Sequence, residues 1–115
     1  MIGRRIQHVE GQDPYHELTE PGDYTLIAEG QYTHDGRPSV YFILPVPLQP
    51  LIDDDNPTVQ RLKHLASCAM PPHVFRECAD GSLEIRESLL VTQRWKGTER
   101  TWHGYLDEGN NWRTV

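Results

Sequence analysis

The sequence holds two cysteines and six histidines, and a few of them are close enough along the chain to suggest a metal site. Structural zinc takes four thiolate or imidazole ligands and usually includes a close Cys-x-x-Cys or His-x-x-x-His pair. Neither spacing occurs here, and the available ligand set is His64, Cys68, His73 and Cys78. Two small buried thiols are the favoured alternative, because free cysteine is among the most buried residue types. We therefore predict no metal and no cofactor, with those four residues as the alternative ligand set.

Ser88, His103 and Asp107 have the residue types of a hydrolytic triad, but a triad is recognised by its geometry rather than by its members. The sequence has no Gly-x-Ser-x-Gly elbow and no cysteine-protease signature. It also has no Gly-rich phosphate-binding loop. These patterns favour a protein that is not an enzyme. The alternative left open is a degenerate zinc-ribbon-like domain or a small enzyme that uses His73, Cys78 and His103.

An acidic run, Asp53–Asp55, precedes the one segment with a helical pattern. An EF-hand loop that began at Asp53 would need a Glu at its twelfth position, where this chain has His64. The acids are better explained as favourable charges near the positive end of a helix. Asn56 and Pro57 suit its cap and first position, and apolar side chains follow at helical spacing: Val59, Leu62, Leu65 and Ala66. One short α-helix is predicted here.

The other apolar segments have the alternation and the turn residues of β-hairpins. Asp35-Gly36 predicts a tight turn between strands at 23–29 and 39–44. In the second of these strands, Val40, Phe42 and Leu44 should lie on one face and Tyr41 and Ile43 on the other, with both faces buried. Further strands are predicted at 74–77, 83–91, 100–106 and around Trp112, with turns at 80–81, 96–98 and 107–110.

These elements predict a mainly β fold with one short α-helix. The expected architecture is a small antiparallel sheet, or a partly open barrel or sandwich, built of hairpins from about five to seven strands. A chain of 115 residues is expected to form a single domain, 1–115. Within it, residues 1–15 are predicted to form a loosely attached N-terminal edge strand.

Charge and hydropathy narrow the range of partners. The formal net charge of −6 disfavours nucleic acid, because phosphate backbones are bound through cationic side chains. No apolar run approaches the length of a membrane span, and no signal-peptide pattern is present, so a cytoplasmic location is expected.

Tryptophan and tyrosine dominate protein-binding hot spots. The candidate partner-binding residues are therefore Trp95, Trp102, Tyr105 and Trp112. Trp102 and Tyr105, three apart on a strand, should point to opposite faces.

Two stretches, His16–Tyr24 and Trp102–Leu106 followed by Gly109, resemble a small domain family of unknown function that is widespread in phage and bacterial genomes. The stretch from Gly81 through Leu90 is similar to the central strand pair of that family. Members often carry cysteines on the strand that corresponds to 41–44, and two residues before the Trp-His pair. This chain has Phe42, Ile43 and Arg100 at those places. The resemblance thus implies a β fold without the family's possible metal ligands.

Together these observations predict a small, non-enzymatic protein-interaction module encoded by a phage or prophage. Its expected partner is a host protein, such as a component of a defence system, which it would bind or inhibit in the bacterial cytoplasm. Alternatively, the protein is predicted to be a minor structural component of a virion.

Overall fold

The structure of the protein is a computed structural model that describes residues 1–45, 65–95 and 98–115. Within these ranges the chain forms eight strands and one helical turn. In chain order they are β1 (Arg4–Arg5), α1 (Pro14–Glu17), β2 (Asp23–Ile27), β3 (Ser39–Ile43), β4 (Leu65–Ala69), β5 (Val74–Glu77), β6 (Leu83–Trp95), β7 (Thr98–Asp107) and β8 (Asn111–Thr114). No helix in the described ranges is long and apolar enough to cross a bilayer.

The strands form two four-stranded sheets with the orders β1-β2-β3-β4 and β5-β6-β7-β8. All pairings are antiparallel except the parallel one between β1 and β2. Core residues from both sheets form one cluster between them. The predicted mainly β fold is confirmed as a small sandwich rather than a closed barrel.

Strand β4 lies where the sequence pattern predicted the end of a helix, and this part of the prediction is wrong. Leu65 and Ala66 pair with residues of β3, as does Cys68 further along β4. The central strand satisfies their backbone groups, and that pairing overrides a short helical pattern. The rest of the predicted helix lies at 56–64, outside the described residues.

The alternation predicted for the central strand β3 is confirmed. Val40, Phe42 and Leu44 belong to the cluster between the sheets, and Tyr41 and Ile43 belong to a second cluster on the opposite face of the first sheet. Leu18, just after α1, covers this second face and is fully buried. The first sheet is therefore buried on both sides, which explains why the β3 sequence is apolar throughout.

The predicted turn between β2 and β3 is confirmed as well. Asp35 and Gly36 both have positive φ, 52° and 74°, and the Arg37 N–H donates to the His34 carbonyl at 3.0 Å. Two consecutive left-handed residues give the turn the twist that antiparallel strands need. This turn sets the register in which Tyr24 lies opposite Phe42.

Four aromatic rings connect the two sheets. The Phe42 ring lies 5.1 Å from the Trp112 ring and 6.2 Å from the Trp102 ring, measured between centroids. The Tyr24 ring meets Trp112 edge-on at 6.0 Å, and its hydroxyl donates to the Asn110 side chain. Such pairs contribute about 0.5–1.5 kcal/mol each beyond the burial of their area. This aromatic cluster is the centre of the sandwich.

Residues 1–6 are attached more firmly than the loosely held edge strand that the sequence predicted. The Met1 ammonium donates to the Trp112 carbonyl at 3.0 Å, and the Gly3 N–H donates to the Asn110 carbonyl at 2.8 Å. The Arg4 guanidinium donates two hydrogen bonds of 2.9 Å to the buried carboxylate of Asp23. The N-terminus thus contacts both sheets.

Candidate functional site

The outer face of the second sheet carries several exposed or half-exposed apolar and aromatic side chains. Val74 and Leu90, which flank inward-facing residues on β5 and β6, are 58% and 65% exposed. Tyr105 is half-buried on the same face, and the Arg113 guanidinium lies 4.2 Å from its ring centroid. The outer face of the first sheet, in contrast, is covered by its own apolar cluster. The second sheet therefore presents the more accessible of the two outer faces.

The β6–β7 hairpin extends beyond both of its neighbouring strands. β5 pairs with β6 only as far as Arg86, and β8 pairs with β7 only from Gly104 onward. The Val115 N–H donates to the His103 carbonyl at 2.9 Å, which adds one further contact on the β7 side. Residues 90–95 and 98–103, called the hairpin arm below, form ladder pairs only with each other in the part of the chain that is described.

A β-bulge marks the place where the hairpin leaves the sheet. The register shifts between Ile85 and Leu89, and Glu87 within this interval has φ of +66°. A left-handed conformation is strained for glutamate, and bulges commonly bend and twist a strand. Ile85 and Leu89 both still point into the core, so Leu90 is directed outward.

Two of the four predicted partner-binding residues lie in the core and not on a surface. Trp102 is 3% exposed and Trp112 is 2% exposed. Their indole N–H groups donate to the Thr114 hydroxyl at 3.1 Å and to the Gly22 carbonyl at 2.9 Å. Neither ring can contact a partner without unfolding the sandwich, so both are removed from the candidate surface.

Tyr105 keeps its place as a surface candidate. Trp102 and Tyr105 do point to opposite faces of β7, as predicted, with the first ring inside and the second outside. The Trp95 backbone ends β6 in the hairpin arm, while its side chain lies outside the described part of the structure. Candidate contacts on the second sheet are therefore Tyr105 and the exposed Leu90, which sequence reasoning missed.

The alternative metal-ligand set is not assembled by the described residues. Cys68 is buried in β4, and burial raises the pKa of its thiol from an ordinary value of 9.0 to about 12. His73 contacts the Ser88 carbonyl through Nε2 at 3.2 Å, and His64 lies outside the described residues. Cys68, His73 and Cys78 do not form a group of ligand atoms, and both cysteines are free thiols.

A different group, Cys78, Asp80 and Glu108, has its potential ligand atoms within 4.8 Å of one another. Contacts within the chain already account for its two carboxylates. Asp80 accepts hydrogen bonds from the Ser82 hydroxyl at 2.6 Å and N–H at 2.9 Å, which lower the pKa of its carboxyl. Glu108 lies 3.8 Å from the Arg76 guanidinium. This group is explained by two neighbouring turns: the hydrogen-bonded turn between β5 and β6 carries Cys78 and Asp80, and the turn between β7 and β8 carries Glu108.

The residues of the triad considered above have other partners. The Asp107 carboxylate accepts a hydrogen bond from Arg113 Nε at 2.8 Å, and Ser88 accepts one from His73 at its carbonyl. His103 lies half-buried opposite Leu90 in the β6–β7 ladder. None of the hydrogen bonds described for these residues joins Ser88, His103 and Asp107 to one another.

A second surface feature is an open groove of about 720 Å³ at the edge of the first sheet. One wall comes from the stretch after β1, and the other comes from the end of β2 and the residues that follow. Its lining residues are Gln7, His8, Glu10, Gly11, Leu26, Ala28, Glu29, Gly30, Gln31 and Tyr32. Sequence reasoning did not identify this groove, because its two walls are about twenty residues apart along the chain.

An oriented histidine belongs to this groove. His8 Nδ1 lies 2.6 Å from Oε1 of Glu17, whose Oε2 accepts the Val9 N–H at 2.8 Å. The side chains of His8 and Glu17 are only 15% and 8% exposed. A carboxylate accepts hydrogen bonds and cannot donate them, so the proton of this contact belongs to Nδ1. In neutral His8 the other nitrogen, Nε2, is then a hydrogen-bond acceptor.

No family model, no curated protein sequence and no solved structure matches the chain. The resemblance to a phage and bacterial domain family therefore stays a prediction. Functional conclusions rest on the two surfaces just described, the second sheet with its hairpin arm and the groove beside β2.

Proposed function

We propose that the chain is a small, non-enzymatic protein-binding module that uses the β6 edge of the hairpin arm, beside which the described residues place no strand. The observation that carries this proposal is the extension of β6 past the last pairing of β5 at Arg86. From Leu90 to Trp95 the strand has a roughly 20 Å length of edge for an incoming strand.

An unpaired strand edge is a template for another polypeptide. Its free N–H and C=O groups alternate along the strand and can pair with an extended segment of a partner. A two-stranded hairpin by itself is only marginally stable in water, and a third strand would complete a stable ladder. The main chain would then supply affinity, and the side chains beside it would supply selectivity.

The side chain of Leu90, where this edge begins, suits an apolar residue of a partner strand. Leu90 lies on the outer face and is 65% exposed, so a partner side chain that covers it removes apolar surface from water. Tyr105 lies on the same outer face but on β7, where it pairs with Arg113 of β8, so it is a separate contact point beside the arm. The proposed contact surface is thus a backbone edge with one apolar side chain, Leu90, on its outer face.

In biological terms, we propose that the partner is a protein of a bacterial host and that binding inhibits it in the cytoplasm. A component of a defence system fits this role. As a minor virion component, the protein would use the same strand edge to bind another structural protein. Both forms rest on the resemblance to phage and bacterial domains and on the hairpin arm.

The test is affinity capture from a bacterial lysate, followed by titration of the purified captured protein against three forms of the chain. Leu90→Lys should weaken binding by about tenfold or more, because it places a charge in a desolvated apolar contact. Ile2→Lys is the matched control, since Ile2 is 69% exposed and lies away from the hairpin arm. Equal affinity of Leu90→Lys and the unchanged chain would contradict the proposal, as would a failure to capture any partner.

A further inference from the structure

The groove beside β2 exposes a second strand edge that is unpaired within residues 1–45, 65–95 and 98–115. β1 pairs with β2 only at Asp23 and Tyr24, and one more backbone bond follows, from the Ile6 N–H to the Tyr24 carbonyl at 2.8 Å. Past this point the chain at 7–11 leaves β2, while β2 continues to Ile27. Leu26 has a β-ladder partner, Val40 of β3, on one side only among the described residues. The groove opens along its other side.

The polar side chains that line this groove are dominated by hydrogen-bond acceptors and negative charge. Glu10 and Glu29 stand on opposite walls, and no lysine or arginine is among the lining residues. His8 adds an acceptor at Nε2 in its neutral form, because its Nδ1 is held by Glu17. The groove therefore complements a positively charged ligand with hydrogen-bond donors.

The size and floor of the groove favour a polypeptide over a single small cation. A volume of about 720 Å³ accommodates several residues, and the open β2 edge offers backbone pairing that a small amine cannot use. Apolar contact is available from Leu26, and Tyr32 supplies an aromatic ring on one wall. A short extended segment with alternating basic and apolar side chains matches all of these features.

We propose that this groove binds an extended basic segment of a partner protein, which adds a strand at Leu26–Ala28, beside the end of β2 and the residue that follows it. An arginine or lysine of that segment lies between Glu10 and Glu29 and donates a hydrogen bond to His8 Nε2. This site is separate from the hairpin arm and does not depend on the function proposed for the arm.

The probe is a short, blocked peptide of alternating arginine and valine, titrated against the isotope-labelled full chain and followed by nuclear magnetic resonance. Two companion probes are the same peptide with glutamate in place of arginine, and arginine amide alone. The basic peptide should shift the amide signals of residues 7–11 and 26–32 while leaving those of the hairpin arm unchanged. It should also show backbone-to-backbone nuclear Overhauser effects to Leu26–Ala28.

Charge-reversal variants separate a specific site from attraction to a chain whose net charge is −6. Glu10→Lys and Glu29→Lys should each weaken binding of the basic peptide by about tenfold or more. Glu20→Lys is the control, because it makes the same change in net charge at an exposed residue outside the groove lining. This variant should bind the basic peptide as tightly as the unchanged chain does.

Several results would overturn the proposal. If Glu20→Lys weakened binding of the basic peptide as much as Glu10→Lys or Glu29→Lys did, the net charge of the chain alone would explain the attraction. If the glutamate peptide bound as tightly as the basic peptide, charge would have no role in recognition. Binding of arginine amide as tight as that of the peptide would make the groove a site for small cations. Shifts confined to the hairpin arm would place the peptide on the other surface.

Discussion

Trp102→Ala tests whether the aromatic cluster is the centre of the sandwich. The Trp102 ring is 3% exposed, and its centroid lies 5.8 Å from that of Trp112 and 6.2 Å from that of Phe42. Its indole N–H donates to the Thr114 hydroxyl at 3.1 Å. Truncation removes contacts to rings of both sheets at once and leaves a cavity between them.

The expected loss in the free energy of unfolding is about 3–5 kcal/mol, the usual range for truncating a buried aromatic residue. A domain of 115 residues has a total stability of roughly 6–17 kcal/mol, so the variant retains only part of it. Tyr105→Ala is the matched control on the outer face of the same strand. Its contact with Arg113 is worth about 0.5–1 kcal/mol at an exposed site.

The assay is urea unfolding followed by far-ultraviolet circular dichroism, because tryptophan fluorescence itself changes in the variant. With a denaturant slope of about 1–3 kcal/mol per molar urea, Trp102→Ala should lower the midpoint by roughly 1–5 M. Tyr105→Ala should lower it by less than about 1 M. The reasoning is refuted if Trp102→Ala costs less than about 1 kcal/mol, or if both variants cost the same.

Four other predictions concern the core and its buried polar groups. Gly104→Ala should cost several kcal/mol in thermal or urea unfolding, because a Cβ there would overlap the Arg113 carbonyl and the Trp102 ring. The Cys68 thiol should react with Ellman's reagent at pH 8 only after denaturation, since burial raises its pKa to about 12. Below pH 9 the Cys68 thiol keeps its proton in both the folded and the unfolded chain, whereas between pH 9 and 12 only the unfolded chain loses it. The free energy of unfolding should therefore decrease as the pH rises through this range. Cys68→Ala should make that decrease smaller. Asp23→Ala should destabilise the protein by about 2–4 kcal/mol in the urea assay, because the buried carboxylate accepts four hydrogen bonds.

The strands around β3 could be predicted from the sequence because their patterns are local. Val40, Phe42 and Leu44 alternate with two other apolar residues, and a strand with both faces buried is the simplest structure that uses all five. Asp35-Gly36 likewise fixes its turn through the positive φ that both positions adopt. Such features depend on a few neighbouring residues and not on the rest of the fold.

Strand β4 could not be predicted in this way. Leu65 has an apolar neighbour at helical spacing in the sequence, and its strand conformation depends on pairing with Ile43, which is more than twenty residues away. Helix α1 was missed although its signal is local, with Asp13 accepting the Tyr15 N–H at 2.8 Å and Pro14 in the first helical position. That capping pattern is readable in the sequence.

The candidate surfaces were harder to predict than the fold. The alternation that separates Trp102 from Tyr105 shows that they face opposite sides, but it does not show which side meets the other sheet. His8 and Glu17 are nine residues apart and meet only because α1 brings the chain back. The open edge of β6 exists because β5 pairs with β6 only as far as Arg86, and the β6 sequence itself contains no signal of where β5 ends.

The central claim is that the β6 edge of the hairpin arm accepts a partner strand. Residue-resolved amide hydrogen exchange on the full chain, alone and with the captured partner, tests it most directly. The β6 amides of the arm that do not point toward β7 should exchange freely in the isolated protein and become strongly protected in the complex. Amides already protected in the isolated chain, or still unprotected in the saturated complex, would contradict the claim.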